Sequence, residues 1–507
     1  MTGGGKIEDF SPHPVKEQLP GIEYCVTSHP CWPEAIILGF QHYLVMLGIT
    51  VLIPSLLVPQ MGGGDFEKAI VIQTLLFAAG VNTLLQTWFG TRLPAVIGGS
   101  FTYILPTIII INSPRYQGIV DPRQRFIQTM RGVQGALIVA SFFQIVVGFL
   151  GFWRIVVRFL SPLSAVPLVT LAGLGLYTIG FPLLARCMEL GLPALVLLVL
   201  VSQYGPRTLL SKRVIFDRFA VIIVLAIIWL LALILTVSGA YKHASPATQF
   251  TCRTDGSGLL SAAPWIRFPL PLQWGNPTFQ AGEAFAMMAA SFAALIESTG
   301  TFIAVSRYGS ATPIPPSILS RGVGWQNAGL LALTRVGSRR VVQISACFML
   351  FFSILGKFGA LFASIPMPII AAFYCVLFAY VASAGIGFLQ FCNLNSFRTK
   401  FILGFSIFMG FSVPQYFNQT LVLTGHGPVN SNSTAFNVIV NVIFSSHATV
   451  AAITAYFLDC TLYRKDSAAR RDCGLLWWDK FRYYERDTRS EEFYSLPYNL
   501  GKHFPSF

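Results

Sequence analysis

The chain has 507 residues, of which 54% are hydrophobic and only 11% charged, and its formal net charge is +14. Soluble globular chains carry about 25% charged residues, so this composition excludes a water-soluble protein of this size. The positive charge does not indicate a nucleic-acid-binding protein, because Lys and Arg cluster in short loops between apolar runs, as in topology-setting cytoplasmic loops. The nine cysteines are scattered without a CxxC spacing, so no metal site, redox motif or cofactor is predicted.

Apolar runs of about 20 residues, long enough to cross a bilayer as helices, recur along the chain and predict an all-α polytopic membrane protein. A polar cytosolic segment, 1–33, precedes a first transmembrane half at 34–240. An extracytosolic loop at 241–280 leads to the second half, 281–461, and a cytosolic tail follows at 462–507. The predicted spans are 34–57, 69–89, 95–111, 133–151, 161–181, 190–204, 216–240, 282–305, 341–360, 366–388, 399–417 and 434–459.

The distribution of basic residues predicts the orientation. With the N-terminus inside, most basic loops, such as 205–218, fall on the cytoplasmic side, as the positive-inside rule requires. The loop at 112–131, with four arginines, is the exception. Two glycosylation sequons, at Asn418 and Asn432, fall on the external side, where they are either acceptor sites or chance occurrences in a polar loop.

Region 308–336 does not fit a simple crossing. Arg307 and Arg335 both belong on the cytoplasmic side, yet only 27 residues separate them. Two full helical crossings need about 40 residues, and a single crossing would place every later basic loop on the wrong face. The region is therefore predicted to enter the membrane part-way and return, which is tolerated only where the backbone lines a cavity.

The first half contains a matching irregularity. The short span at 95–111 is interrupted by Gly98, Gly99 and Pro106. Short, Gly/Pro-broken segments at corresponding places in two halves indicate the substrate site of a secondary transporter.

Four motifs give the chain a family resemblance. QNAGLLALTR at 326–335 resembles the signature of the nucleobase–ascorbate transporter family, also called nucleobase:cation symporter-2. GFQHYLVMLG at 39–48, GTRLPAVIGGSFTYI at 90–104 and AALIESTGTFIAVSR at 293–307 are similar to further motifs of that family. The ending WWDKFRYYERDTRSEEFYSLPYNL looks like the plant branch.

The resemblance implies about 13–14 transmembrane segments in two inverted repeats of seven, split into core and gate domains. Two of them, 95–111 and 326–336, are expected to be discontinuous. The implied activity is uptake of nucleobases such as xanthine, uric acid, uracil, adenine or guanine by proton symport and alternating access. Ascorbate transport, a plasma-membrane location and a homodimer are further implications of the family.

The chain departs from the family at one place. Similar proteins have roughly twenty further residues, about one helical span, between the positions of Trp325 and Gln326. The missing run normally supplies most of segment nine and the extended part of segment ten. An apparent internal deletion explains the shortage of residues in region 308–336, and a transport-deficient or regulatory variant becomes the main alternative function.

Glu297 is the leading candidate for substrate binding. A carboxyl group inside a membrane costs about 2.5–3.5 kcal/mol on insertion scales and is usually functional. By the resemblance it accepts hydrogen bonds from the N–H groups of the base and exchanges the coupling proton. The alternative is a carboxyl group that only pairs with a neighbouring helix.

The resemblance also makes Gln326, Asn327, Ser100 and Phe101 candidate substrate-binding residues. An amide such as Gln326 can match the alternating C=O and N–H edge of a base, and Asn327 either holds it in register or simply caps a half-helix. Phe101 could stack on the base. Core packing is the better reading of Phe101 without the resemblance, because the chain has 43 Phe residues.

Four residues are candidates for coupling or gating. His42 and Gln41 lie in the first span, where a His either serves a proton pathway or satisfies a backbone carbonyl. Thr334 and Arg335 are linked by the resemblance to gating, and Arg335 also reads as a cytoplasmic anchor. An intramembrane enzyme is disfavoured because neither HExxH nor GxGD occurs. An anion exchanger is disfavoured because the carboxylate of Glu297 would repel its substrate.

Overall fold

A computed structural model of the protein describes residues 24–158, 160–204, 215–255, 261, 263–312, 314–324, 338–363, 365–424, 427–462 and 493–498. Regular structure in these ranges is helical, and no β-strand forms in them. The α-helices, in chain order, are α1 (Trp32–Met61), α2 (Asp65–Trp88), α3 (Ile104–Ile111), α4 (Pro114–Gln117), α5 (Pro122–Phe149), α6 (Phe152–Val157), α7 (Pro162–Leu174), α8 (Phe181–Leu184), α9 (Met188–Val199), α10 (Ile215–Val237), α11 (Pro246–Cys252), α12 (Ala281–Tyr308), α13 (Pro316–Gly324), α14 (Arg339–Ile354), α15 (Gly356–Ala363), α16 (Met367–Gly387), α17 (Phe397–Thr424), α18 (Thr434–Phe444) and α19 (His447–Thr461).

Local sequence sets the ends of several of these helices. Helix α1 is followed by Gly62, which adopts a left-handed backbone with φ of 94°, and the N–H groups of Gly62 and Gly63 donate to the carbonyls of Pro59 and Val58 in the last turn. In α2, the Glu67 side chain accepts a hydrogen bond of 3.0 Å from the Gly64 N–H. Helix α7 begins with Pro162 after Ser161, whose hydroxyl accepts from a backbone N–H of the first turn.

Seven helices of the described chain are long and apolar enough to cross a membrane, or eight if one sharply bent pair counts as a single span. The all-helical membrane class predicted from composition is therefore confirmed. Most predicted spans correspond to observed helices, although α5 begins earlier, at Pro122, and includes three of the arginines assigned to the loop at 112–131. The count of 13–14 segments stays a prediction.

The helices of the first half pack against helices of the second half. Helices α1 and α2 pack on α14, α7 packs on α16 and α19, and α5 packs on α12. One apolar cluster joins Tyr43 of α1 with Met349 of α14 and Tyr374 of α16. A second joins Trp153 of α6 with Phe302 of α12. The interior therefore consists of side chains that are far apart in the sequence.

Several predicted spans differ in detail from the observed helices, and two of them show where hydropathy fails. Span 434–459 is not one helix, because α18 and α19 meet at an angle of 89° across Ser445 and Ser446. Span 161–181 is helical only as far as Leu174, and the chain then forms a short 3-10 turn over Tyr177–Ile179. Hydropathy reports the presence of apolar residues and carries no information about the direction of the helix axis, so neither interruption was visible in it.

The described residues at the two ends of region 308–336 lie close together, and the re-entrant path between them stays a prediction. The Val26 N–H donates to the Gly309 carbonyl at 3.1 Å, and the Arg339 N–H donates to the Val26 carbonyl at 3.2 Å. Both ends of the region thus meet one backbone segment. Its described part contains α13, which has nine residues and at 1.5 Å per residue rises only about 13 Å. Residues 325–337, including the predicted segment 326–336, lie outside the described residues.

A disulfide joins Cys187, just before α9, to Cys252 at the end of α11. It attaches the loop at 241–280 to the start of a membrane helix across 65 residues of sequence. Disulfides persist in oxidising compartments, which agrees with the predicted extracytosolic position of this loop.

Candidate functional site

A cavity of about 500 Å³ lies between the two halves of the chain. This volume falls within the range of roughly 300–1,000 Å³ typical of small-molecule sites, which are mostly apolar with a few polar groups. Glu297 is the only charged residue among the described residues that line it. The polar lining residues are Ser100, Thr102, Thr178, Glu297, Ser298, Thr301, Asn418, Ser445, Ser446 and His447.

The first wall of the cavity is the non-helical run at 95–100 that precedes α3. A Cβ atom on Gly98 would collide with the Met46 side chain of α1, so glycine permits the close approach of these two elements. The backbone is not left unsatisfied here, because the Ile97 N–H donates to Thr83 Oγ1 at 2.8 Å. Ser100 then caps the next turn by accepting a hydrogen bond from the Thr102 N–H at 3.3 Å.

The second wall is α12, which carries Glu297 about midway along its length. Ser446 Oγ donates to Glu297 Oε1 at 2.9 Å, and the Thr102 side chain, whose hydroxyl is hydrogen-bonded to that of Ser100, lines the same cavity. Since Thr102 follows one backbone break and Ser446 lies in another, Glu297 lies in a cavity that both irregular segments line. The residue as a whole is half-buried and lines the cavity.

The third wall is the bend between α18 and α19. Ser446 is the N-cap of α19 and accepts a hydrogen bond from the Thr449 N–H at 3.3 Å. His447, the first residue of α19, packs edge-on against the rings of Tyr177 and Phe411, each with a centroid distance of 6.0 Å. Its Nε2 atom is buried without a hydrogen-bond partner among the described residues. A buried polar atom of this kind calls for an explanation, and an incoming ligand is one.

Three of the predicted site residues come together in this cavity. Ser100, Phe101 and Glu297 all line it, although Ser100 and Glu297 are almost 200 residues apart in the sequence. Phe101 also packs against two apolar clusters. It therefore both lines the cavity, as a base-stacking residue would, and takes part in core packing, the two interpretations that the sequence left open.

The other predicted residues do not line the described cavity. Gln41 and His42 are fully buried in α1 outside it, and His42 precedes the lining residue Met46 by one helical turn. The remaining predicted residues, Gln326, Asn327, Thr334 and Arg335, lie outside the described residues.

His447 and Asn418 are among the polar residues of the cavity that sequence reasoning missed. His447 was placed inside a continuous span, and the only available signal was the Ser-Ser pair before it, which is a typical start of a helix. Asn418 was expected just beyond span 399–417, where its sequon was either a glycosylation acceptor or a chance occurrence. It lies instead within α17 and lines the cavity, which favours the chance occurrence.

The sequence profile described as the Permease family matches residues 33–324 and 325–419. Nucleobase-ascorbate transporter 7 of Arabidopsis thaliana is 64% identical over 522 positions, covering 99% of this chain and 97% of the relative. Nucleobase-ascorbate transporter 6 of the same plant is 63% identical over 531 positions, covering all of both chains. Nucleobase-ascorbate transporter LPE1 of Zea mays is 58% identical, with 99% of each chain covered.

Proposed function

Because the chain belongs to the nucleobase-ascorbate transporter family of multi-pass membrane permeases and is not an enzyme, we propose that it carries nucleobases across the plasma membrane in symport with protons. Xanthine, uric acid, uracil, adenine and guanine are the candidate substrates, and ascorbate ranks below them. The observation that carries the proposal is the position of Glu297 between two backbone breaks in a largely apolar cavity.

Glu297 is proposed to accept hydrogen bonds from the N–H groups of the base and to exchange the coupling proton. Hydrogen bonds to a charged group contribute more than neutral ones, roughly 1.5–3 kcal/mol each. Ser446 supports this role, because its hydroxyl donates to one carboxyl oxygen and so fixes the orientation of the group. Phe101 would lie against the face of the base, and Ser100 would present polar groups to its edge.

Gln326 and Asn327 are proposed to read the remaining edge of the base from the start of a half-helix. Gln41, His42, Thr334 and Arg335 are proposed to act in coupling or gating. His42 suits such a role because it is buried in the helix that forms part of the cavity wall, one turn away from Met46. The homodimer stays a prediction.

The finer architecture, two inverted repeats of seven segments in core and gate domains, is also part of the proposal. Interleaved packing of first-half helices with second-half helices supports it. So does the arrangement of the chain ends, because Val26 and Phe493 both hydrogen-bond to Arg339 and therefore lie at the same end of the molecule. Only an even number of crossings brings the two ends to one side.

A second candidate function is that of a transport-deficient or regulatory variant. The helix α13 is too short to cross a bilayer, and the profile match is divided between residues 324 and 325, next to the proposed deletion. The comparison with transporter 6 spans 531 positions, although this chain has 507 residues, so at least 24 positions have no residue here. These observations favour a missing run beside Trp325.

Uptake of radiolabelled xanthine, uracil and ascorbate in a transporter-deficient cell separates the two functions. A tagged chain is first shown at the cell surface, and the expected result is saturable uptake of a nucleobase that collapses with the proton gradient. Surface protein without uptake would overturn the transport proposal for this chain. Insertion of the run from transporter 6 between Trp325 and Gln326 should then restore uptake if the deletion is the cause.

A further inference from the structure

The segment at residues 493–498, hereafter the C-terminal segment, packs onto the main body of the protein. The side chains of Phe493, Tyr494 and Leu496 are only 7%, 1% and 7% exposed. The Tyr494 hydroxyl donates to the carbonyl of Thr312, in the turn before α13. Phe493 and Tyr494 belong to one apolar cluster with Leu93 and Ala95, which lead into the first backbone break of the cavity.

Two arginines connect the C-terminal segment to the loop at 90–93. Arg321 of α13 donates from Nε to the Gly90 carbonyl at 2.7 Å and from Nη2 to the Tyr494 carbonyl at 2.8 Å. Arg339 of α14 donates from Nε to the Arg92 carbonyl at 2.6 Å and from Nη2 to the Phe493 carbonyl at 3.0 Å. Each guanidinium therefore joins one loop carbonyl to one carbonyl of the segment, which its planar array of donors allows and a lysine ammonium does not match.

The loop also contacts the segment directly. Arg92 Nη1 donates to the Ser495 carbonyl. The same residue has a positive φ of 59°, a conformation that L-residues other than Gly rarely adopt. Such a conformation persists only where the surroundings hold it in place. The arginine bonds and the buried aromatic rings supply these surroundings.

We propose that the C-terminal segment is an intramolecular peptide ligand for a groove formed by loop 90–93 and the facing ends of α13 and α14. When bound, it fixes loop 90–93 and thereby the position of the non-helical run at 95–100, which forms a wall of the cavity. Arg321 and Arg339 act as positioning residues. They do not touch the cavity, and their effect on it passes through the loop backbone.

Hydrogen exchange of the full-length protein in detergent tests this inference without relying on transport. The variants are Tyr494→Ala and a matched control, Tyr498→Ala, whose side chain is 92% exposed. Tyr494→Ala should raise exchange of the backbone amides in residues 89–103 by about tenfold, the factor expected when one or two hydrogen bonds are lost. Tyr498→Ala should leave that exchange unchanged. Neither variant should change the exchange of amides in the middle of α17.

Equal exchange of residues 89–103 in the two variants would overturn the inference, and so would a rise spread evenly over the whole protein. If Tyr494→Ala does not yield folded protein, Tyr494→Phe replaces it, because it keeps the ring in the cluster and removes the hydroxyl that bonds to Thr312. Its expected increase is smaller but confined to the same residues. If the unmodified protein shows no uptake but the two variants show the expected difference in exchange, the proposed function is contradicted and this inference stands.

Discussion

At the scale of single residues, Glu297 is a candidate site residue by its sequence context and also lines the cavity. A carboxyl group in a predicted span is costly and therefore conspicuous. Its identity and depth can be read along the chain, whereas its partner Ser446 lies 149 residues away and could not be inferred. The candidate was thus visible from the sequence, but its surroundings were not.

We expect Glu297→Gln to reduce nucleobase uptake by at least tenfold while surface abundance remains normal. Glutamine keeps the shape and an acceptor for Ser446 but removes the charge, so about 1.5–3 kcal/mol is lost for each hydrogen bond from the base. Uptake kinetics and surface biotinylation measure the two quantities. Glu67→Gln, at the start of α2 and outside the cavity, is the control, and an equal loss in both variants would argue against a role in binding.

A second residue-scale prediction concerns His447. His447→Phe keeps an aromatic ring against Tyr177 and Phe411 but removes Nε2. If Nε2 bonds to the substrate, KM should rise about fivefold, which corresponds to one ordinary hydrogen bond of about 1 kcal/mol. His243→Phe, in an exposed loop, should not change KM. An unaltered KM in His447→Phe would show that the imidazole is part of the packing only.

At the scale of elements, the two backbone breaks of the cavity differ in how they are encoded. The break at 95–100 is encoded locally by Gly98 and Gly99 and was predicted. The bend between α18 and α19 has no Gly or Pro at Ser445 and Ser446 and was missed. A serine N-cap starts a helix without specifying the direction of the preceding one, so the angle depends on the packing of both helices.

The close contact between the first break and α1 gives an element-scale prediction. Gly98→Ala should reduce uptake by roughly fivefold or more, because overpacking costs about 1–3 kcal/mol and the Met46 side chain must move. Adding Met46→Ala should recover much of the uptake, since it removes the colliding atoms. A Cβ atom on Gly404 of α17 meets no other atom, so uptake by Gly404→Ala should stay normal. Failure of the double variant to recover would contradict the proposed contact.

At the scale of the whole molecule, contacts distant in sequence hold the halves and the chain ends together. The disulfide between Cys187 and Cys252 is one of them. We expect Cys187→Ser to lower the stability of the detergent-solubilised protein by about 2–4 kcal/mol, because a cross-link across a loop of this length restricts the unfolded chain. Thermal unfolding followed by fluorescence measures the change.

A reductant should lower the Tm of the unmodified protein and leave that of Cys187→Ser unaffected. The control is Cys347→Ser, because Cys347 is an exposed free cysteine, and its Tm should match that of the unmodified protein. Identical Tm values for all three proteins under oxidising conditions would show that the cross-link does not stabilise the fold.

The sequence by itself determined the membrane class, most helix positions, the broken segment at 95–111 and the candidacy of Glu297. These follow from local properties, namely apolar run length, glycine and proline positions, and the cost of a buried charge. Only the tertiary structure decided that Glu297 meets Ser446, that α18 and α19 meet at 89°, and that the C-terminal segment binds Arg321 and Arg339. Such contacts join residues up to 403 positions apart, and no local pattern specifies which distant surfaces will pack together.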